Sequence, residues 1–330
     1  MNTIAPDWLL LFFVASVIGA LYVDFVLLRR QGAHSVTVKE ALNWSLAWIG
    51  LSFAFNALFW WAVRDATGDA ALANARALEF LTGYLIEKSL AVDNIFVFLM
   101  IFTYFSVPPE YQKRVLMIGV VGAIVLRTIM ILIGGWLITQ FHWILYVFGA
   151  LLVITGVKMW LAAGKEPDLE DNPALKLLRR LLPVSRGFDG ERFFTLENGR
   201  RIATPLLMVV AMVGITDVIF AVDSIPAIFA ITTDPFIVLS SNIFAILGLR
   251  AMFFLLAAVA AKFHLLNYGL SIILLFIGSK MLLVDVIKIP VLVSLGVVVG
   301  VLAVTMLWSV RTAPKFDREN RDMRHDGQGL

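Results

Sequence analysis

Two stretches of this chain, 130 residues apart, set acids among apolar neighbours. Glu87-Lys-Ser-Leu-Ala-Val-Asp93-Asn94-Ile-Phe aligns with Asp217-Val-Ile-Phe-Ala-Val-Asp223-Ser224-Ile-Pro. Each copy holds an acid, then Ala-Val-Asp, then a small polar residue and Ile. Carboxylate, amide and hydroxyl oxygens at this density suit a hard cation such as Mn²⁺, Mg²⁺ or Ca²⁺ better than Zn²⁺ or Cu⁺. Glu87, Asp93, Asn94, Asp217, Asp223 and Ser224 are therefore the candidate ion ligands. The likeness continues downstream, where Gly122-Ala-Ile-Val-Leu-Arg127 resembles Phe244-Ala-Ile-Leu-Gly-Leu-Arg250, and Thr155-Gly-Val-Lys158-Met159 resembles Ile277-Gly-Ser-Lys280-Met281. Arg127 and Arg250 become the candidate charge partners of the acids.

The surroundings make these charges expensive. The chain has 330 residues, 60% hydrophobic and only 15% charged, with a mean hydropathy of +0.88. Soluble domains are about 25% charged, so a nucleic-acid binder, an ordinary soluble enzyme and a disulfide scaffold are excluded; cysteine is absent. An acid or arginine at a helix centre costs roughly 2.5–3.5 kcal/mol in a bilayer. Six unpaired ones would cost on the order of 15–20 kcal/mol, so they must face one another, water or an ion. Four acids against two arginines leave a surplus of negative charge that a divalent cation, Lys88 or protonation would each balance.

Nine apolar spans are expected near residues 7–28, 40–62, 78–106, 112–138, 142–162, 204–231, 236–261, 266–286 and 289–310, in an all-α polytopic membrane bundle. The repeated motif falls in the third and sixth spans, so each unit holds three helices. An odd number of crossings inverts one unit against the other, and sites in such repeats lie near the bilayer midplane. The division is two N-terminal helices (1–76), repeat one (77–162), a cytoplasmic connector (163–203), repeat two (204–286), a final helix (287–310) and a polar tail (311–330). Sorting Lys and Arg by this scheme puts 19 on one side and three on the other, which orients the N-terminus outside and the C-terminus in the cytoplasm. In the connector, Asn172–Leu182 reads as a short amphipathic helix, with Asn172 as cap and Pro173 at its first position. Asn198-Gly199 reads as a hairpin turn.

Glu87 and Asn94, like Asp217 and Ser224, are seven apart and share a helix face. Asp93 and Asp223 lie about 100° off that stripe, so the helices deform or the acids divide their roles. Pro226 offers deformation, because it frees the carbonyl of Val222. Ser89 and Thr216 read as back-bonding hydroxyls. Met100, Met208 and Met212 read as core, although a thioether would favour Mn²⁺. Asp24 reads as an interfacial charge, and Asp285 and Lys288 as marks of the outer end of the eighth span. The four histidines, His34, His142, His264 and His325, sit in loops, span ends or the tail.

EKSLAVDNIFVF, TDVIFAVDSIPAIFAIT and SNIFAILGLRAMFFLL together resemble the TerC family of integral membrane proteins, and the nine-span length with the Thr204-Pro205 helix start resembles its Alx branch. The resemblance implies a multi-pass protein of the bacterial inner membrane, associated with tellurite resistance, a redox-modulator label and manganese export. It implies Glu87, Asp93, Asp217 and Asp223 as acidic metal-site residues, with Asn94 and Ser224 beside them. The expected function is export of Mn²⁺ in exchange for protons, with the metal as transported ion and no prosthetic group. The expected partners are the lipid bilayer, the ion and protons; nucleic acid is not among them, and no protein partner is indicated. An intramembrane aspartyl protease, the enzymatic rival, would resemble its class in a Gly-x-Gly-Asp motif that neither Asp93 nor Asp223 has, so no enzyme is expected. The remaining rival is a non-transporting module, linked to tellurite resistance or to redox and envelope stress, whose charges only hold helices together.

Overall fold

The fold is given by a computed structural model that describes residues 3–31, 37–141, 143–162, 173–185, 187–197, 200–257, 265–287 and 289–312. Within these, the side chains of residues 27–31, 92, 93, 96, 173, 174, 181, 200 and 223 fall outside the description. The expected tail and the first part of the connector lie outside the described residues.

The N-terminal pair is α1 (Asp7–Gln31) and α2 (Val38–Thr67), followed by α3 (Ala70–Tyr104), α4 (Pro109–Gln140) and α5 (Ile144–Ala162). On the connector, α6 (Pro173–Leu181) precedes a hairpin of β1 (Phe194–Glu197) and β2 (Arg200–Ala203). The strands pair antiparallel, with Glu197 opposite Arg200; the expected Asn198-Gly199 turn lies outside the described residues. Then come α7 (Pro205–Phe229), α8 (Pro235–Ile246), α9 (Leu249–Ala257), α10 (Leu266–Leu282) and α11 (Val291–Thr312).

Local chemistry fixes the ends. Thr37 caps α2 by accepting from the Glu40 N–H, one of the two bonds of the capping box that Thr-x-x-Glu favours. Asp69 caps α3 by accepting from the N–H groups of Ala71 and Leu72. Asp234 caps α8, with Pro235 at the first helical position where no N–H is required. Its carboxylate also holds the N-terminal segment, accepting from Thr3 Oγ1 at 2.9 Å and the Ile4 N–H at 3.0 Å.

Among the described residues six helices are long and apolar enough to cross a bilayer, and seven spans result if α8 and α9 count as one bent crossing. The helix α3 carries Glu87, Lys88 and Asp93 in its middle, and α10 has 17 residues; neither is among the six. The surface agrees with a lipid setting, since large apolar side chains such as Leu11, Trp136, Leu161 and Trp308 face outward.

The expected seventh span, 236–261, departs from a single helix: α8 and α9 meet at 43°. Gly248 at the join has φ +81°, and a Cβ there would lie 2.6 Å from the Trp48 ring. Only glycine takes that left-handed conformation without strain. By contrast α7 stays helical through Pro226. That proline stands one turn from the C-terminal end of α7, where its missing N–H leaves the Val222 carbonyl without its helical partner but only one turn of helix follows; the break in direction falls at Gly248, between α8 and α9.

The core divides into three apolar clusters. An aromatic one joins α1, α2, α3 and α8 through Phe13, Phe55, Phe59, Phe80, Phe236 and Phe244, with Phe55 and Phe244 ring centroids 4.5 Å apart. A second packs α5 against α7 and α10. The third joins α3, α4, α7 and α9, and the connector covers it with Leu175, Leu178 and Phe193. Close backbone approach requires small residues: a Cβ on Gly278 of α10 would lie 2.9 Å from the Gly149 carbonyl oxygen of α5, and one on Gly83 of α3 would lie 2.9 Å from Ser241 Oγ of α8.

Candidate functional site

Where α3, α4, α7 and α8 meet, the apolar packing gives way to a buried polar cluster. Its centre is Arg127 of α4, the largest side chain the bundle buries completely. Arg127 Nη1 forms an ion pair with Glu87 Oε1 of α3. Nη2 lies 3.2 Å from Asp217 Oδ1 of α7. Nη1 also donates to Ser224 Oγ of α7 and to Asn242 Oδ1 of α8, each at 3.2 Å. All five residues are buried, so one guanidinium bridges four helices in an environment of low dielectric.

The pairing is incomplete. Glu87 Oε2, Asp217 Oδ2, Arg127 Nε and Asn242 Nδ2 are buried with no hydrogen-bond partner among the described residues. An unmet buried polar atom costs about 1–3 kcal/mol, more when charged, so these atoms point to an unmet water, proton or ion. Beside the cluster is a cavity of about 50 Å³ lined by Asn94, Ser224, Thr155, Met159, Phe220, Leu90 and Leu274. A cavity of that size with three polar side chains in a mainly apolar wall has room for water. Ser224 faces both the cavity and Arg127, and Asn94 is buried at the cavity wall.

Of the candidate ligands, Glu87, Asp217 and Ser224 therefore converge, and Asn94 lies at the adjoining cavity. Asp93 and Asp223 stand on α3 and α7, with side chains outside the described set. Among the described residues no three of His, Asp and Glu gather as a metal cage. The four histidines lie outside the described residues.

Arg250 takes a different place from the one its alignment with Arg127 suggests. It pairs with Asp24 of α1, Nη2 to Oδ1 at 2.5 Å, and so does not neutralise the central acids. The bend at Gly248 comes two residues before Arg250, which sets it on α9 toward α1. Asp24, read as an interfacial charge, is its counter-ion. Lys88, adjacent to Glu87, turns from the cluster and donates to the carbonyl oxygens of Ala245 and Leu247 at 3.1 and 3.5 Å, at the end of α8.

Ser89 and Thr216 back-bond to their own helices, Ser89 Oγ to the Leu85 carbonyl and Thr216 Oγ1 to the carbonyls of Met212 and Val213. Met208 and Met212 are core residues. Asp285 accepts from Tyr146 Oη, joining the ends of α10 and α5. Asn242 is the site residue that motif reading missed. Its signal was Ser240-Ser241-Asn242, a polar trio inside an apolar span, all of it fully buried.

A multi-pass helical membrane protein with an ionisable centre is the class this arrangement defines. The family described as integral membrane protein TerC matches residues 72–316, and the chain belongs to the TerC family. Its relatives include the membrane-bound redox modulator Alx of Salmonella typhi, 57% identical over 97% of this chain and 99% of that protein. The Escherichia coli Alx is 56% identical with the same coverage, and an uncharacterized membrane protein of Myxococcus xanthus is 49% identical over 93% of this chain and 94% of its own. No solved structure matches.

Proposed function

We propose that this protein is a secondary transporter that exports a divalent cation, Mn²⁺ by preference, in exchange for protons. The observation that carries the reading is the meeting of Glu87 and Asp217, from two copies of one motif, on a single buried arginine, each with one oxygen unmet. Carboxylates that bind metal when ionised release it when protonated, so metal and proton compete for the same oxygens. Oxygen donors without thiolate suit Mn²⁺ or Mg²⁺. Asp93 and Asp223, one residue before Asn94 and Ser224, would complete the donor set.

Nine crossings with two inverted three-helix repeats are part of this reading. Exchanging α3 with α7, α4 with the α8–α9 pair and α5 with α10 turns the α3–α8 contact into the α7–α4 contact and leaves α3–α7 and α5–α10 unchanged; all of these pairs are packed. That reciprocity supports a pseudo-twofold relation, and rocking one repeat against the other would give alternating access. The excess of basic residues on one side supports an outer N-terminus and a cytoplasmic connector. The name of the relatives speaks of redox modulation; this chain has no cysteine and hence no thiol chemistry of its own.

Reconstitution into vesicles holding a Mn²⁺-quenched dye tests the proposal. Quenching that requires Asp223 and Asp217, lost in Asp223→Asn and Asp217→Asn, and that grows with a pH gradient is the expected result. Normal flux in those variants, or none in folded wild type, would return the protein to the non-transporting class.

A further inference from the structure

Arg127 poses a problem for any ion carrier built here, because a cation already sits on two of the carboxylates the metal would use. We propose that Arg127 is a tethered stand-in for the transported ion: its guanidinium holds Glu87 and Asp217 while no metal is bound and, when metal binds those carboxylates, keeps only its bonds to Ser224 and Asn242. The proposal rests on the metal-carrier reading above and adds the residue that makes the empty carrier stable.

Three observations carry it. First, the guanidinium reaches both carboxylates but saturates neither, since Glu87 Oε2, Asp217 Oδ2 and its own Nε stay unmet among the described residues. A bridge built only for strength would be bidentate, with its lone pairs and N–H groups used. Second, neutral acceptors already stand within reach of the same nitrogen: Nη1 donates to Ser224 Oγ and Asn242 Oδ1. Those contacts survive if the carboxylates are surrendered, so the displaced cation keeps partners rather than being stranded in a low-dielectric interior. Third, the cavity that adjoins Ser224 offers space on the route to the cluster, bordered by Asn94 and Thr155.

The mechanism separates two modes of transport. A carboxylate of the pair that returns without a proton is costly to carry through a bilayer, so net export relies on Arg127 to hold it on the return stroke. Exchange of one metal ion for another never requires the site to cross empty.

Wild type and Arg127→Gln would be reconstituted at equal pH on both sides, and two fluxes measured: net Mn²⁺ efflux into metal-free medium, and self-exchange of radiolabelled against unlabelled Mn²⁺. The Gln variant is expected to lose about tenfold more of its net flux than of its self-exchange, because the empty state alone has lost its stabilising cation. Equal losses, or a wild-type ratio, overturn the proposal. Arg127→Lys keeps the charge but cannot bridge both carboxylates, so equilibrium Mn²⁺ titration of the purified variant should give binding about three- to tenfold tighter than wild type; weaker binding overturns the proposal even if the Gln variant does not fold. Wild type without Mn²⁺ flux in either assay removes the manganese reading and this inference together, whereas wild-type flux with an unchanged ratio in Arg127→Gln removes only the role of Arg127.

Discussion

Asn242 accepts from the same guanidinium nitrogen that pairs with Glu87, and its contribution can be weighed. Replacing it with Ala strips Arg127 Nη1 of an acceptor while the charge stays buried. A loss of about 1–3 kcal/mol is expected, read as a lower thermal unfolding midpoint of the purified protein. Ser89→Ala should leave the midpoint nearly unchanged, because Ser89 bonds only its own helix turn. Lowering the pH on the metal-loaded side should release Mn²⁺, since protonation removes the charged oxygens from the competition; equilibrium dialysis across a pH series checks the direction. Much of this cluster was legible in the sequence. The 130-residue offset located Glu87 and Asp217, and bilayer energetics required their pairing. The alignment of Arg127 with Arg250 misled, because a repeat in sequence does not specify which partner each copy meets. Asp24 claims Arg250, and nothing in the spacing of Asp24 announces that.

Helices in this bundle approach as closely as their small residues allow, and α5 and α10 are the clearest case. A Cβ on Gly278 would lie 2.9 Å from the Gly149 carbonyl oxygen, Leu152 and Val153 at once. Gly278→Ala should cost about 1–3 kcal/mol through overpacking and lower the thermal midpoint. Gly122 of α4 has no heavy atom within 4 Å of the same position, so Gly122→Ala should be neutral or slightly stabilising. Gly248→Ala combines a left-handed φ with the Trp48 clash, and truncating Trp48 to Ala should relieve only the clash. The helices of six or seven candidate spans were readable from hydropathy, and the connector helix and strand pair from local sequence. The bend in the seventh span was not: a single glycine in an apolar run is compatible with a straight helix, and only the approach of Trp48 distinguishes the two.

Two faces of the molecule can be drawn from its polar ties. One face holds the connector, where Arg114 meets Glu191 at 2.7 Å and Arg179 donates to Tyr104 Oη at 2.8 Å. The other holds the Asp234 seat of Thr3 and Ile4 and the Tyr146–Asp285 contact. Because the chain has no cysteine, single cysteines need no background removal. An impermeant maleimide should label Thr233→Cys in intact cells and Glu110→Cys only after permeabilisation. The reverse pattern would invert the orientation.

The lengths of neighbouring helices leave one consequence for the lipid. The 35 residues of α3 rise to about 52 Å, whereas the 17 of α10 rise to about 26 Å, beside a hydrocarbon layer of roughly 30 Å. With α10 packed along the equally modest α5, that flank, as a pair of crossings in the proposed topology, would draw the two water interfaces together and pinch the bilayer locally. Such a pinch is an elastic load that the surrounding acyl chains must bear. The proposed carrier should therefore work fastest in short-chain phospholipids and slow as the chains lengthen, so that membrane thickness itself would become a control on the proposed transport.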